Sequence, residues 1–166
     1  MVKQAIIPLA GLGTRMLPLT KALPKELWPL GSRSILEYIL EECFNAGIKQ
    51  VIFVISKKKN VIKKYFLKNN SLEKTIKNKP DILKKLIYLN RISKKIKFVY
   101  QEKPKGLGHA VLCAEKYINT KYFILILPDD IINGKNCVKE LIEINKKNQS
   151  SVLALKQVSR KDVKRY

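Results

Sequence analysis

Histidine is almost absent from this chain, cysteine and arginine are sparse, and no long apolar run occurs. Cys43, Cys113 and Cys137 are odd in number and unrelated in spacing, which gives neither a disulfide framework nor a zinc pattern. Cys43 and Cys113 sit in apolar helical contexts and are expected as reduced core residues. No apolar stretch reaches the length of a membrane span. Met1-Val2-Lys3-Gln4-Ala5 runs straight into a strand without a signal-peptide pattern, so a cytoplasmic protein is expected. Acid is also scarce: 13 Asp and Glu stand against 34 Lys and Arg, a net charge of +21. That excess invites a nucleic-acid reading. Against it, the lysines are scattered, only five arginines occur, and few aromatics interleave with the basic runs. Abundant Lys, Ile and Asn equally fit A/T-rich codons. The expectation is weak, salt-sensitive, non-specific adhesion to polyanions. There is no internal repeat and no linker. With 46% hydrophobic residues in 166, one domain with a sizeable core is expected.

Against this background one stretch stands out, Leu9-Ala10-Gly11-Leu12-Gly13-Thr14-Arg15-Met16-Leu17-Pro18, continued by Pro24-Lys25-Glu26. It follows the apolar run Ala5–Leu9, which reads as a buried strand. Gly11 and Gly13 permit a tight turn and the close approach of a bulky anion. Free backbone N–H groups in such a loop make a concave anion site. Arg15 adds a forked cation suited to phosphate, and Lys25 a second charge. Taken alone, the two glycines fit an ordinary turn equally well. A dinucleotide fingerprint fails because Met16 stands where a third small residue belongs, and no Walker A loop is present.

The rest of the chain reads as alternating strands and helices. Ile35–Phe44 has helical spacing, with Ser34 as N-cap and Gly47 as stop. Val51–Ile55 is a second buried strand, completing a βαβ unit. Between Lys57 and Asn90, two amphipathic helices are expected, on Val61, Ile62, Tyr65 and Phe66 and on Ile82, Leu83, Leu86 and Ile87. Their lysine runs read as solvated faces. Ile96–Tyr100 is a third strand ending in Gln101. A second glycine loop, Lys105-Gly106-Leu107-Gly108-His109, precedes a helix opening at Ala110. The unbroken apolarity of Tyr122–Leu127 predicts a fourth strand buried on both faces, delivering Pro128-Asp129-Asp130. Val138–Ile144 is a helix, Ser151–Val158 a fifth strand, and Ser159–Tyr166 a basic tail. In a parallel sheet the carboxyl ends of strands one, three and four share one edge, where open α/β sheets hold their ligands.

Asp129, after a dry strand, suits a Mg²⁺ ion that needs one or two carboxylates besides phosphate oxygens; a turn or N-cap Asp is the structural alternative. Gln101 offers a donor and an acceptor to a base edge, or is a solvated strand end. His109 follows Gly108 in the loop facing the expected cleft, which suits sugar or phosphate contact; alone it would be a helix-start residue.

The strings AGLGTRMLPLTKALPKE (Ala10–Glu26), KGLGHAVLCA (Lys105–Ala114) and ILPDD (Ile126–Asp130) resemble the bacterial UTP–glucose-1-phosphate uridylyltransferases, within the sugar-phosphate nucleotidyltransferases. The resemblance implies an α/β, Rossmann-like, mostly parallel open sheet flanked by helices, the nucleotide-diphospho-sugar transferase fold. It covers the amino-terminal part of the family's longer chain: residues 1–166 are the nucleotide-binding portion of a nucleotidyltransferase domain, without the sugar-binding part, a further lysine and a second metal-binding aspartate. It implies UTP and glucose 1-phosphate as substrates, with direct displacement at the α-phosphorus giving UDP-glucose and pyrophosphate. It assigns uracil recognition to Ala10, Gly11, Gln101 and Gly106, with Glu26 added, phosphate handling to Gly13, Arg15 and Lys25, and Mg²⁺ to Asp129. Gly108 and His109 are expected on the substrate side. An uncovered sheet edge would invite self-association. Two other readings stay open: a sugar nucleotidyltransferase using dTTP or GTP, and a non-catalytic basic fragment that binds nucleic acid.

Overall fold

The computed structural model describes residues 1–132 and 134–160. The chain runs from β1 (Gln4–Pro8) through the first glycine loop to a small antiparallel pair, β2 (Pro29–Leu30) and β3 (Arg33–Ser34). It continues through α1 (Ile35–Asn45) and β4 (Gln50–Ile55) to three helices, α2 (Asn60–Phe66), α3 (Asn70–Thr75) and α4 (Pro80–Ser93). β5 (Ile96–Tyr100), α5 (Leu107–Ala114), β6 (Ile124–Leu125) and α6 (Cys137–Asn148) complete it. The main sheet is parallel throughout, in the order β5-β4-β1-β6. The open, helix-flanked α/β architecture expected from the motifs is therefore present.

Beyond Gln4, which is buried at the start of β1, the central strands are apolar at their core positions because helices cover both faces. Ala5, Ile7, Val51, Phe53 and Ile55 face the larger core with α1, α2 and α4. Phe53 anchors it, meeting Phe66 and Phe98 edge-on at centroid distances of 5.7 Å. Ile6, Ile52 and Val54 face the other way, against Ala110 and Ala114 of α5. Those two alanines let α5 lie close to the sheet, and α5 carries the second glycine loop at its amino end. α1 begins as its sequence predicts: the Glu37 carboxylate accepts from the Ser34 N–H at 2.9 Å, satisfying a group the helix leaves open. Gly47, at φ 89°, carries the chain out of the helix.

Four expectations need correction. The inner face of α4 is Leu89 and Ile92 with Leu86 and Tyr88 packed beside them, whereas Ile82 and Ile87 are exposed. The helix is rotated because its last turns, nearest β5, meet the core. The short helix α3 has no counterpart in the sequence reading, for its apolar content is too slight to show a period. The strand expected over 122–127 narrows to Ile124–Leu125 and is not buried on both faces: Leu125 and Leu127 are about 40% exposed. β6 is an edge strand, and helices cover only one of its sides among the described residues. No strand forms over 151–158, where Leu153 and Leu155 are exposed. Apolar, β-prone residues make a strand only with a ladder partner, and none of the described residues supplies one. These two segments flank an open apolar cleft of about 410 Å³ beside the sheet edge. Residues 161–166 of the basic tail lie outside the described residues. No helix among the described residues is long and apolar enough to cross a membrane.

Candidate functional site

A cleft of about 450 Å³ opens at the carboxyl edge of the sheet. It is lined by the first glycine loop (Ala10, Gly11, Leu12, Gly13, Thr14), by Lys25 and Glu26, by Gln101 and Gly106, and by Pro128 and Asp129. Loops following β1, β5 and β6 thus meet at one place. Three inter-strand steps separate β5 from β6, so the cleft reaches across about 14 Å of sheet.

The first loop owes its path to Gly13, in the left-handed region at φ 67°, ψ 31°. Its carbonyl accepts from the Thr20 hydroxyl at 2.9 Å, and a Cβ there would lie 3.1 Å from Thr20 Cγ2. Gly11, which lines the cleft, differs: a Cβ there would meet nothing within 4 Å. A single turn of 3₁₀ helix at Lys25–Leu27 then sends neighbouring side chains in opposite directions. Lys25 Nζ donates to Asp129 Oδ2 at 3.0 Å, across 104 residues of sequence. Partial burial works against ionising Asp129. The hydrogen bond and charge of Lys25, with the Arg15 charge behind them, outweigh it and hold the carboxyl below its ordinary range.

Glu26 turns inward and is almost wholly buried. Both of its oxygens accept from Lys59 Nζ, at 2.7 and 2.9 Å, and Lys59 is itself buried. The sequence reading missed this lysine, which stands last in the run Lys57-Lys58-Lys59 and was expected on a solvated face. A signal was available: the run directly follows β4, at the same sheet edge as the cleft, and Glu26 needs a partner of opposite sign if it lies inside.

Gln101 lies at the end of β5, its backbone N–H donating to Ile55 at 2.9 Å. Its side-chain nitrogen donates to the Gly106 carbonyl at 3.1 Å and sits 2.9 Å from His109 Nδ1. Gly106 itself adopts φ 87° at the start of α5, and its carbonyl also accepts from Ala110 N–H.

The structure therefore brings Ala10, Gly11, Gly13, Lys25, Glu26, Gln101, Gly106 and Asp129 to one cleft. Arg15 is exposed on the loop outside the lining, near enough for its charge to act on Asp129. Gly108 and His109, expected toward the substrate, are not part of the lining; His109 is turned to Gln101. Among the described residues no three acidic, histidine or cysteine side chains group as a metal cage. Asp130 lies along the neighbouring apolar cleft. What remains at Asp129 is one hard carboxylate lining the cleft. That donor set fits an ion held mainly by phosphate oxygens and water, and does not fit a protein-enclosed ion.

Comparison with known proteins places the chain by sequence and by fold. Residues 4–166 match the sequence family described as nucleotidyl transferase. The UTP–glucose-1-phosphate uridylyltransferase of Bacillus subtilis is 39% identical over 168 residues, covering 99% of this chain and 57% of that protein. The second such enzyme of Staphylococcus saprophyticus is 40% identical, covering 99% and 58%. Among solved structures, the UTP-bound UDP-glucose pyrophosphorylase of Acinetobacter baumannii superposes with a TM-score of 0.83 at 37% identity, over 90% of this chain and 54% of that one. A UDP-glucose pyrophosphorylase complexed with UDP-glucose gives 0.80 at 31%, over 100% and 61%. The chain thus spans less than two thirds of the length of these relatives.

Proposed function

The chain belongs to the nucleotidyl transferase family, and from that membership we propose that it supplies the nucleotide-binding portion of a cytoplasmic uridylyltransferase making UDP-glucose and pyrophosphate from UTP and glucose 1-phosphate. The observation that carries the proposal is the convergence of three strand-end loops on one cleft, with an amide at the β5 side and paired charges at the β6 side. Relatives whose names state this reaction, and a neighbour solved with UTP bound, support the choice of nucleotide.

The reaction needs placement and charge neutralisation more than proton transfer. An oxygen of glucose 1-phosphate bonds to the α-phosphorus while the bond to the bridging β-oxygen breaks, and pyrophosphate carries away the electron pair. Gly11 and Gly13 let the triphosphate approach the loop backbone. Lys25 leaves Asp129 for the phosphates around the reacting centre, and Arg15 stabilises the departing pyrophosphate. Asp129 would hold a Mg²⁺ ion, which would supply further neutralisation of the phosphate charge. Ala10, Gly11, Gly106 and Gln101 enclose the base.

The test is the melting temperature with UTP, dTTP, GTP or a short DNA duplex, each with and without Mg²⁺. A ligand that binds only the folded state raises it. UTP is expected to raise it most, and Mg²⁺ to add to the shift. In Asp129→Ala the Mg²⁺ increment disappears while a metal-free UTP shift remains. An equal response of parent and variant to Mg²⁺ sinks the metal assignment. A larger shift with dTTP or GTP moves the proposal to another sugar nucleotidyltransferase. Pyrophosphate release with glucose 1-phosphate then tests turnover.

A further inference from the structure

The Gln101 amide is held in one orientation by two neighbours, the Gly106 carbonyl and His109 Nδ1. The side-chain nitrogen lies 3.1 Å from the Gly106 carbonyl, which can only accept, so the atom there is the NH₂ and not the oxygen. The same nitrogen lies 2.9 Å from His109 Nδ1, and an NH₂ group can only donate there. Nδ1 therefore carries a lone pair, and the imidazole proton sits on Nε2. Cys113, one turn further along α5, lies 3.9 and 4.0 Å from the two ring nitrogens and backs the ring. Both hydrogens of the amide are thus spent on the protein. No described residue donates to its oxygen. Among the described residues no buried side-chain oxygen or nitrogen is left without a partner. The Gln101 oxygen therefore meets open space, and the open space this residue borders is the cleft.

We propose that His109 is a positioning residue that sets base specificity: together with the Gly106 carbonyl it holds Gln101 with its amide oxygen toward the base. Resting on the nucleotide reading above, the inference adds a direction to it. An acceptor presented to a base selects an imino N–H, as in uracil, thymine and guanine. It meets the bare ring-nitrogen lone pair of cytosine or adenine with repulsion. The histidine touches neither base nor phosphate, which accounts for its place outside the cleft lining.

Two measurements on the parent chain and on His109→Leu, His109→Asn and Gln101→Leu test this. Because His109 is the only histidine, the ¹⁵N spectrum of the ring can be read without assignment. In alkaline buffer, without nucleotide, Nδ1 is expected unprotonated and Nε2 protonated, with the Nδ1 signal moving in Gln101→Leu. Binding of UTP and CTP is then measured by calorimetry. His109→Leu is expected to lower the UTP-over-CTP preference roughly tenfold, the effect of losing one buried hydrogen bond. His109→Asn, whose amide oxygen can stand in for Nδ1, is expected to restore most of it. A merely structural histidine would change the two affinities in parallel and leave their ratio alone. Protonated Nδ1, or an unchanged ratio in His109→Leu, overturns the proposal. A parent chain with the expected spectrum that binds no uridine nucleotide overturns the nucleotide reading, and the specificity role falls with it.

Discussion

At the residue scale, the feature with the largest energetic leverage is the buried Lys59–Glu26 pair. Burying two charges costs several kcal/mol each, and close pairing offsets that cost. Removing one partner leaves an uncompensated charge inside the protein. Lys59→Met is expected to destabilise the fold by about 3–5 kcal/mol, read as the urea midpoint. The double variant Glu26→Gln, Lys59→Met should recover part of this, because no bare charge remains. A single variant that loses less than about 1 kcal/mol would show that water reaches Glu26 and that the pair is not structural. Only the place of Lys59 just after β4 hints at this pair in the sequence, because a lysine in a lysine-rich run reads as solvated whatever its true partner. Asp129 presents the opposite case: its position was legible from the strand before it, while its resting partner Lys25, 104 residues away, was not. Its lowered pKa gives a pH signature. The pair's contribution is complete above the ordinary aspartate range of about 4 and is lost as pH falls through the lowered folded value. Asp129 is more than half exposed, so this contribution is small and screened by salt. The stability gap between parent and Asp129→Asn should close in acid. A gap unchanged at low pH would mean that the ion pair does not contribute.

At the scale of elements, the two glycines of the first loop separate conformation from function. Gly13→Ala forces a left-handed residue to carry a side chain 3.1 Å from Thr20, and should cost about 1–3 kcal/mol. Gly11→Ala meets no protein atom and should leave the melting temperature within a degree or so. Its methyl group instead takes cleft space, so UTP affinity should fall roughly tenfold or more if a nucleotide phosphate approaches there. If both variants unfold alike, Gly11 is a structural glycine and does not serve the approach of a phosphate. The same contrast explains which elements were legible. β1 and β4 carry strong patterns because strands flank both of them and helices cover both faces, and α1 and β5 carry theirs on the sides that meet the core. β6 and the 151–158 segment carry similarly apolar sequences, and their outcome depends on what lies beside them. Periodicity records burial potential; it does not record whether a partner is present.

At the scale of the whole molecule, a net charge of +21 and a specific anion site must be told apart. Both predict that a polyanion binds, but they predict different dependences. Scattered lysines attract duplex DNA through counterion release, so affinity should fall by about 10³ or more between 50 and 200 mM salt if six or more phosphates are contacted. No single residue carries that term, and Lys25→Met should change DNA affinity by no more than about twofold. UTP offers far fewer charges and draws on loop N–H groups and a few placed cations, so its salt dependence should be shallower. There Lys25→Met should cost roughly tenfold, the effect of one lost charge-assisted hydrogen bond. Paired salt titrations of the parent and this one variant, with UTP and with duplex, give four slopes. A variant that loses DNA and UTP in equal proportion would mean that the cleft is only the most basic part of a basic surface. A loss confined to UTP would mean that the fold has made a selective phosphate site within a general excess of positive charge.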